Sequence, residues 1–489
     1  MASHNAVFTV HPALGGLDIS SDPTVLDPNF LTIADNIEYL EGGQRKKRLG
    51  TTIYSTSTGN TNPAFLVSSS TPVRAVSDFW RYGNSLTPAQ NLLSVAGASL
   101  FRSTGNGKWT AISATSSFGA QGNVQTRITL AGDYAVFSDE TATPIAYDQT
   151  NLVAATSGSV WQPFTSSIFH LNRLWMYGLS TAPSQINYSA ANNIFDSTGG
   201  DTGNFTVNRG DGDQIMAVSE PFYASIYIFK GPQVGSVWQL SGSTPSTFSL
   251  VSVGEGAPVM NPRAVVNTPN DVYWFSQYGV HSLQTTVKFG NIESAFLSLP
   301  IQKLWRDNLI LRTSLNQVWG FWHPTRSIVG WCVVPSGDTA QRWLLLYNYA
   351  LSDPKPGGRK YWSIFKFPSF GVTSGTTALI PATWNTLLGL GRQGFPSPFL
   401  GASDGTVYVG DAAIQNDAGS AYSAQVRTPV ITRFKTQQGD VPETQEKGFV
   451  GIVTYFNPKG NYNANLTITI DRRNQAQTVS MAGGGATLT

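Results

Sequence analysis

The chain has little of what most active sites are made from. One cysteine, Cys332, stands among 489 residues, which excludes an internal disulfide framework and a cysteine-rich zinc site. The five histidines, His4, His11, His170, His281 and His323, never fall at metal-ligand spacing, so no metal and no metal-borne cofactor is expected. Charged residues are 12% of the chain, about half the usual share, and the net charge is +2, far from the basic footprint of a dedicated nucleic-acid binder. No apolar run approaches the ~18 residues of a membrane span; Trp343-Leu344-Leu345-Leu346-Tyr347 stops at Asn348. The opening Met1-Ala2-Ser3-His4-Asn5 lacks a basic stretch followed by an apolar one, so no secretory leader is expected.

What is present is bulk and turns. Hydrophobic residues reach 41% and aromatics 12%, which rules out a disordered chain and allows a large core. With 48 glycines and 27 prolines, the elements should be short and many. A poorly charged chain of this kind gains by covering surface in subunit interfaces.

Residues 1–50 read as an extended arm. Turn clusters at Leu14-Gly15-Gly16-Leu17-Asp18 and Ser20-Ser21-Asp22-Pro23 precede Asp27-Pro28, which has the form of a helix cap and first residue. Phe30, Leu31, Ala34 and Ile37 would give that short helix one apolar face, ended by Gly42-Gly43.

From residue 51 the pattern changes to period two. Leu92–Gly97, Ser99–Arg102 and Lys108–Ile112 predict three strands joined by tight turns. Hairpins recur at Asp133–Ser138 with Pro144–Asp148, Arg173–Gly178 with Gln185–Ser189, and Ser225–Lys230 with Gly235–Leu240. Others are Asp271–Ser276 with Gly279–Leu283, Trp319–Trp322 with Ile328–Val333, and Phe399–Ser403 with Asp404–Gly410. A return of hairpins roughly every 40 to 60 residues predicts an all-β chain, a β-propeller over 51–415, with a stacked series of sandwiches as the competing architecture. Gly199–Asn208 and Ser336–Arg359 look like insertions, and Pro300 with Ile301, Leu304 and Trp305 predicts one short helix. Residues 416–489 read as a small C-terminal β-domain, with strands at Gln425–Phe434, Phe449–Phe456 and around Leu466, Ile468 and Ile470, and a turn at Asn457-Pro458-Lys459-Gly460.

No nucleophile elbow, phosphate loop or zinc-protease helix is visible, so no catalytic residue, bound cofactor or enzyme activity is expected. Asp211-Gly212-Asp213 has calcium-like oxygen ligands but no third acid at loop spacing, and a turn is the better reading. Asp404-Gly405 reads as a type I′ hairpin turn and Gly105-Asn106-Gly107 as another tight turn. Cys332, in Gly330-Trp331-Cys332-Val333-Val334, reads as a buried thiol, and His281 and His323 as structural. The one dense charge cluster is Arg45-Lys46-Lys47-Arg48, a candidate partner contact that competes with a plain solvated turn. Four adjacent cations in a short turn cannot all point one way, so at most two or three would meet any single partner.

The arm also carries a resemblance. Gly15-Gly16-Leu17-Asp18, Ser20-Ser21-Asp22-Pro23, Ala34-Asp35-Asn36, Gly42-Gly43 and Lys47-Arg48-Leu49-Gly50 occur in order, followed by Gln185–Ser189, Gly212–Ile215, Ile228–Lys230 and Trp274–Val280. This series resembles the tail nozzle proteins of short-tailed bacteriophages, also called tail tubular or packaged-DNA stabilisation proteins, over residues 12–455. Gly483-Gly484-Gly485 near the chain end has no counterpart in that pattern. The resemblance implies a structural virion protein assembled in the host cytoplasm. It implies a ring of about six copies below the portal and adaptor, bearing fibre, spike or needle proteins, through which double-stranded DNA passes without sequence recognition. The arm would then be ordered by a partner surface. A carbohydrate-binding or carbohydrate-cleaving tail propeller, or a tail hub protein, is the alternative.

Overall fold

The computed structural model describes residues 14–40, 44–54, 66–81, 89–105, 107–113, 126–154, 161–284, 296–353, 358–381, 394–412 and 414–429, and the backbone of four strands beyond them. Period-two segments become antiparallel sheets arranged as a seven-bladed β-propeller. The first blade runs Val73–Arg81, Ala89–Ala96, Ser99–Ser103 and Thr110–Ser113, and the second Arg127–Ala131, Tyr134–Ser138, Ile145–Tyr147 and Leu152–Ala154. The third is Ser166–His170, Arg173–Leu179, Ala182–Tyr188 and Gly203–Thr206; the fourth is Gln214–Val218, Ile226–Gly231, Val237–Ser241 and Ser249–Gly254. Three strands, Val265–Asn267, Val272–Phe275 and Val280–Ser282, make the fifth. The sixth starts with Trp319–His323, Ile328–Val333, Trp343–Asn348 and Tyr361–Lys366.

Closure is supplied by the chain's two ends. Val372–Leu379, Pro396–Ala402 and Val407–Ala412 form three strands of the seventh blade, and the fourth is Gly50–Ile53 from the arm, with Tyr408 opposite Ile53. Thr373 Oγ1 and Ser374 Oγ then donate to the Val73 carbonyl across the seam between the last and first blades. Each remaining blade junction is bridged as well, for instance Arg102 to Tyr147 Oη, Thr129 to Ser167 O, Ser184 to Asp213 O, Asn267 to Glu220 O, Asn261 to Val318 O and Thr377 to Trp322 O.

The core lies between blades, where one face of each sheet meets the next. Trp175, Tyr177, Ile186 and Ile228 fill the junction of blades three and four, and Trp319, Phe321, Leu344, Leu400 and Tyr408 that of six and seven. Buried indoles keep their N–H groups satisfied, Trp319 on Val372 O at 2.7 Å and Trp331 on Ala264 O at 2.9 Å, each reaching a neighbouring blade. The expected helix after Pro300 is present as a 3-10 turn, Leu299–Ile301, and one α turn, Lys303–Arg306, burying Leu304 and Trp305.

Several expectations are corrected. Residues 27–39 form no helix: Asp27 Oδ1 accepts from Asn29 N, and strands Phe30–Leu31, Ile33–Asp35 and Ile37–Tyr39 follow. Tertiary pairing outweighs the helical spacing, since Ile33–Asp35 adds to the sixth blade between Ile364 and the strand Gln425–Arg427. The supposed insertions contain blade strands, Gly203–Thr206 and Trp343–Asn348. The described part of the arm packs within the chain, where Leu17, Leu31, Ala34, Ile37 and Tyr39 share a core with blades four to six. One compact unit spans Val10–Val430, so the described arm residues, 14–40 and 44–50, and residues 416–429 are parts of the propeller unit.

The second unit holds Ile431–Thr489. Its described strands pair as two hairpins, Phe434–Thr436 with Gly439–Val441 and Tyr462–Ile470 with Arg473–Met481. The Phe449–Phe456 strand and the 457–460 turn expected from the sequence lie outside the described residues. Among the described residues no helix is long and apolar enough to cross a membrane.

Candidate functional site

The basic cluster divides. Arg45–Lys47 is a strand paired with Ile37–Tyr39, and its alternation exposes Lys46 while Arg45 and Lys47 are half-buried. Lys47 Nζ lies 4.4 Å from the centre of the Tyr422 ring, and burial, reinforced by Arg48, lowers its pKa. Arg48 leaves the candidate surface altogether. It is 1% exposed and holds Asp417 through both terminal nitrogens, at 2.8 and 2.5 Å. Its Nε donates to Asn36 Oδ1, its other donors reach Leu49 O and Lys366 O, and its guanidinium lies 3.7 Å from the Tyr422 ring centre. With every donor direction used inside the fold, Arg48 is a clasp between the arm and residues 417–422.

The acidic pair is also used internally. Lys230 Nζ lies 2.7 Å from both oxygens of Asp211 and donates to the carbonyls of Val207 and Asn208. Asp213 accepts from the backbone N–H groups of Gln233, Val234 and Gly235. The cation that a calcium reading would place here is the protein's own ammonium. Among the described residues no group of three His, Cys, Asp or Glu side chains could hold a metal.

The remaining single residues make internal contacts. His281 stacks on Trp274 and meets Ser276 Oγ at 2.9 Å, and His323 Nε2 lies 3.1 Å from Asp411 Oδ2. Cys332 is fully buried, and burial pushes its thiol well above the usual range, away from nucleophile character. At Asp404-Gly405 only the glycine has positive φ, 82°, so the turn is a three-residue loop rather than type I′. Asp271 accepts from Val272 N, Gln284 N and Ser282 Oγ, yet burial raises its pKa to about 6.

A group of arginine contacts that sequence reading did not single out lies at the end of the propeller where the first strands of the blades begin. Arg127, first in the second blade, donates from Nε to Ser166 Oγ at 3.3 Å and from Nη2 to Pro262 O at 3.2 Å. Arg263, just before the fifth blade, donates from Nη1 to Arg74 O at 2.8 Å and Thr373 O at 3.0 Å. Two side chains therefore span the axis in opposite senses, one tying blade two to three and five, the other tying five to seven and one. Burial first, then the neighbouring Arg127, lowers the pKa of Arg263. The available signal was slight: in a chain poor in charge, Arg74, Arg127 and Arg263 each fall at the head of a blade.

Comparison with known proteins adds shape only. No family model matches the chain, and no curated protein matches its sequence. Among solved structures it is similar to YCF48 from Cyanidioschyzon merolae, at 10% identity and a TM-score of 0.39, covering 71% of this chain and 96% of that one. It is also similar to a structure of YCF48 bound to D1 peptide, at 9% identity and a TM-score of 0.38, covering 76% and 100%. A chain of the mitotic checkpoint complex is similar at 10% identity and 0.39, covering 72% and 95%. At such values function does not transfer.

Proposed function

We propose that the chain is a structural, non-enzymatic virion protein: a nozzle subunit of a short-tailed phage, forming with its copies the ring below portal and adaptor through which DNA leaves. The observation that carries this reading is what the resembling arm residues do. Gly16, at φ 83°, passes so close to the Lys360 carbonyl that a side chain would strike it. Asp18 accepts from the N–H groups of Ser20 and Ser21. Asn36, at φ 53°, bonds Arg48, Lys366 and Ser423. Gly50 enters the seventh blade against Asn416. Of the resembling arm residues, Gly50 lies in the strand that closes the propeller, and Gly16 and Asn36 pack the arm on the sixth blade, which supports reading the likeness as one of architecture.

Two further features support the reading. The axis spanned by Arg127 and Arg263 is no path for a duplex, so the conduit is the space enclosed by several subunits. The low charge of the chain suits subunit interfaces beside DNA that must not be gripped. In this reading adaptor and fibre, spike or needle proteins are the partners, and Arg45, Lys46 and Lys47 remain as contact candidates.

The test is negative-stain microscopy and mass photometry of the purified full chain, with gold-labelled antibody on virions. Rings of about six copies and label confined to the tail support the proposal. A monomer at every concentration, with particles left unlabelled, overturns it.

A further inference from the structure

We propose that the cleft on the connection between the fifth and sixth blades binds the phosphate group of a small phosphorylated molecule. The inference stands apart from the nozzle reading and concerns the propeller unit alone. The connection opens with the 3-10 turn Leu299–Ile301 and the α turn Lys303–Arg306, and a second 3-10 segment, Arg312–Gln317, ends it. Between them lies a cleft of about 460 Å³, lined by Arg306, Asn308, Leu311, Arg312 and Thr313. Small-ligand sites have volumes of ~300–1,000 Å³, and this one is of that size.

The walls are held by the core beneath them. Leu304, Trp305, Ile310 and Leu315, interspersed along the chain with the lining residues, are buried. Asn308, at φ 53°, turns the chain back, and Leu309 N and Ile310 N both donate to Leu304 O. Leu311 N donates to Val334 O and Ser336 N to Leu309 O, which seats the connection on the sixth blade. Arg312 Nη2 donates to Trp305 O at 3.0 Å, holding its guanidinium against the turn that carries Arg306. A ligand entering here meets fixed walls and pays little to order them.

The lining is rich in donors and contains no carboxylate. Asp307, beside it, is engaged by Arg306 Nε at 3.0 Å and by Lys303 Nζ at 3.9 Å, so one acid stands against the three cations Lys303, Arg306 and Arg312. Asp338, on the turn that follows Ser336, is matched by Arg342 at 3.3 Å. The other terminal N–H groups of Arg306 and Arg312, the Asn308 amide and the Thr313 hydroxyl have no partner among the described residues. These are more donors than the two oxygens of a carboxylate can use. A phosphate monoester has three free oxygens, and the paired N–H groups of a guanidinium meet two of them at once. Leu311 supplies an apolar contact for the rest of the molecule. A duplex would call for a row of cations along several elements, whereas these three stand on one connection.

Titration calorimetry of the full chain at low ionic strength tests this, with AMP and glucose 6-phosphate as probes and adenosine, glucose, glucuronate and inorganic phosphate as separate arms. One-to-one binding of at least one ester, tighter than every control, is expected. Arg306→Gln should weaken it tenfold or more through loss of a charge-assisted contact, while Arg209→Gln, at an exposed arginine between the third and fourth blades, should leave it unchanged. No binding of either ester, a control that binds as tightly, unaltered binding in Arg306→Gln, or equal weakening in the two variants overturns the proposal. So does a short DNA duplex that binds more tightly than both esters and is lost in Arg306→Gln, which would make the cleft a nucleic-acid contact. Arg312→Gln should also abolish ester binding; should that variant fail to fold, Arg306→Gln, whose side chain is 63% exposed, decides.

Discussion

Replacing Asp417 by Asn tests whether the arm is clasped from inside. The pair it breaks is 2% exposed on the Arg48 side and 0% on the Asp417 side, with two contacts at 2.5 and 2.8 Å. Removing the carboxylate leaves a guanidinium buried without a counter-charge, a loss of about 3–5 kcal/mol. Unfolding entropy of ~2.1 cal/mol/K per residue gives ~0.9 kcal/mol/K for a unit of about 420 residues, so Tm should fall by about 3–6 °C. Arg48→Met should cost as much, because among the described residues Asp417 would retain Thr51 Oγ1, at 3.2 Å, as its one side-chain hydrogen-bond donor. The double variant Arg48→Met/Asp417→Leu should recover most of the loss, since apolar replacement of both partners removes the desolvation problem. Calorimetry and urea unfolding of the four proteins give the answer. A drop below about 1 °C in both single variants, as for a surface pair worth 0–1 kcal/mol, would refute the clasp.

Two other outcomes follow from buried charge. Lys230→Met strands Asp211 beside Asp213 and should lower stability by about 3 kcal/mol in urea unfolding, while millimolar calcium leaves the Tm of the wild type unchanged because Lys230 already occupies the position. Asp271 has its folded pKa raised to about 6 against 3.8, so the folded state holds its proton more tightly. Its contribution is present below about pH 4 and is lost as pH rises through 6, on the order of 3 kcal/mol at 1.36 kcal/mol per unit. The stability difference between wild type and Asp271→Asn should therefore shift in favour of Asn between pH 4 and 7.5; a constant difference would show that Asp271 titrates normally.

Hairpins were legible in the sequence because their signals are local. Tyr134–Ser138 pairs with Ile145–Tyr147, and Val272–Phe275 with Val280–Ser282, as alternation and intervening turns require. The arm misled because Phe30, Leu31, Ala34 and Ile37 satisfy a helical spacing as well as a broken strand. The decision came from Asn36 at positive φ and from main-chain partners such as Ile364, some 330 residues away. The basic cluster misled for a related reason: adjacent residues of a strand face opposite ways, and nothing local says that Arg48 meets Asp417.

By itself, then, the sequence determined an all-β chain of repeated hairpins, with aromatic faces that had to be buried. Those properties depend on neighbours within a dozen residues, whose geometry the backbone fixes. Tertiary structure alone decided that seven blades close into a ring through Gly50–Ile53, that Lys230 neutralises Asp211, and that Arg127 and Arg263 cross the axis. Each of these joins groups far apart in the chain. A charge buried by folding is stable only beside its partner, and which residue becomes that partner is set by ring closure and not by local pattern.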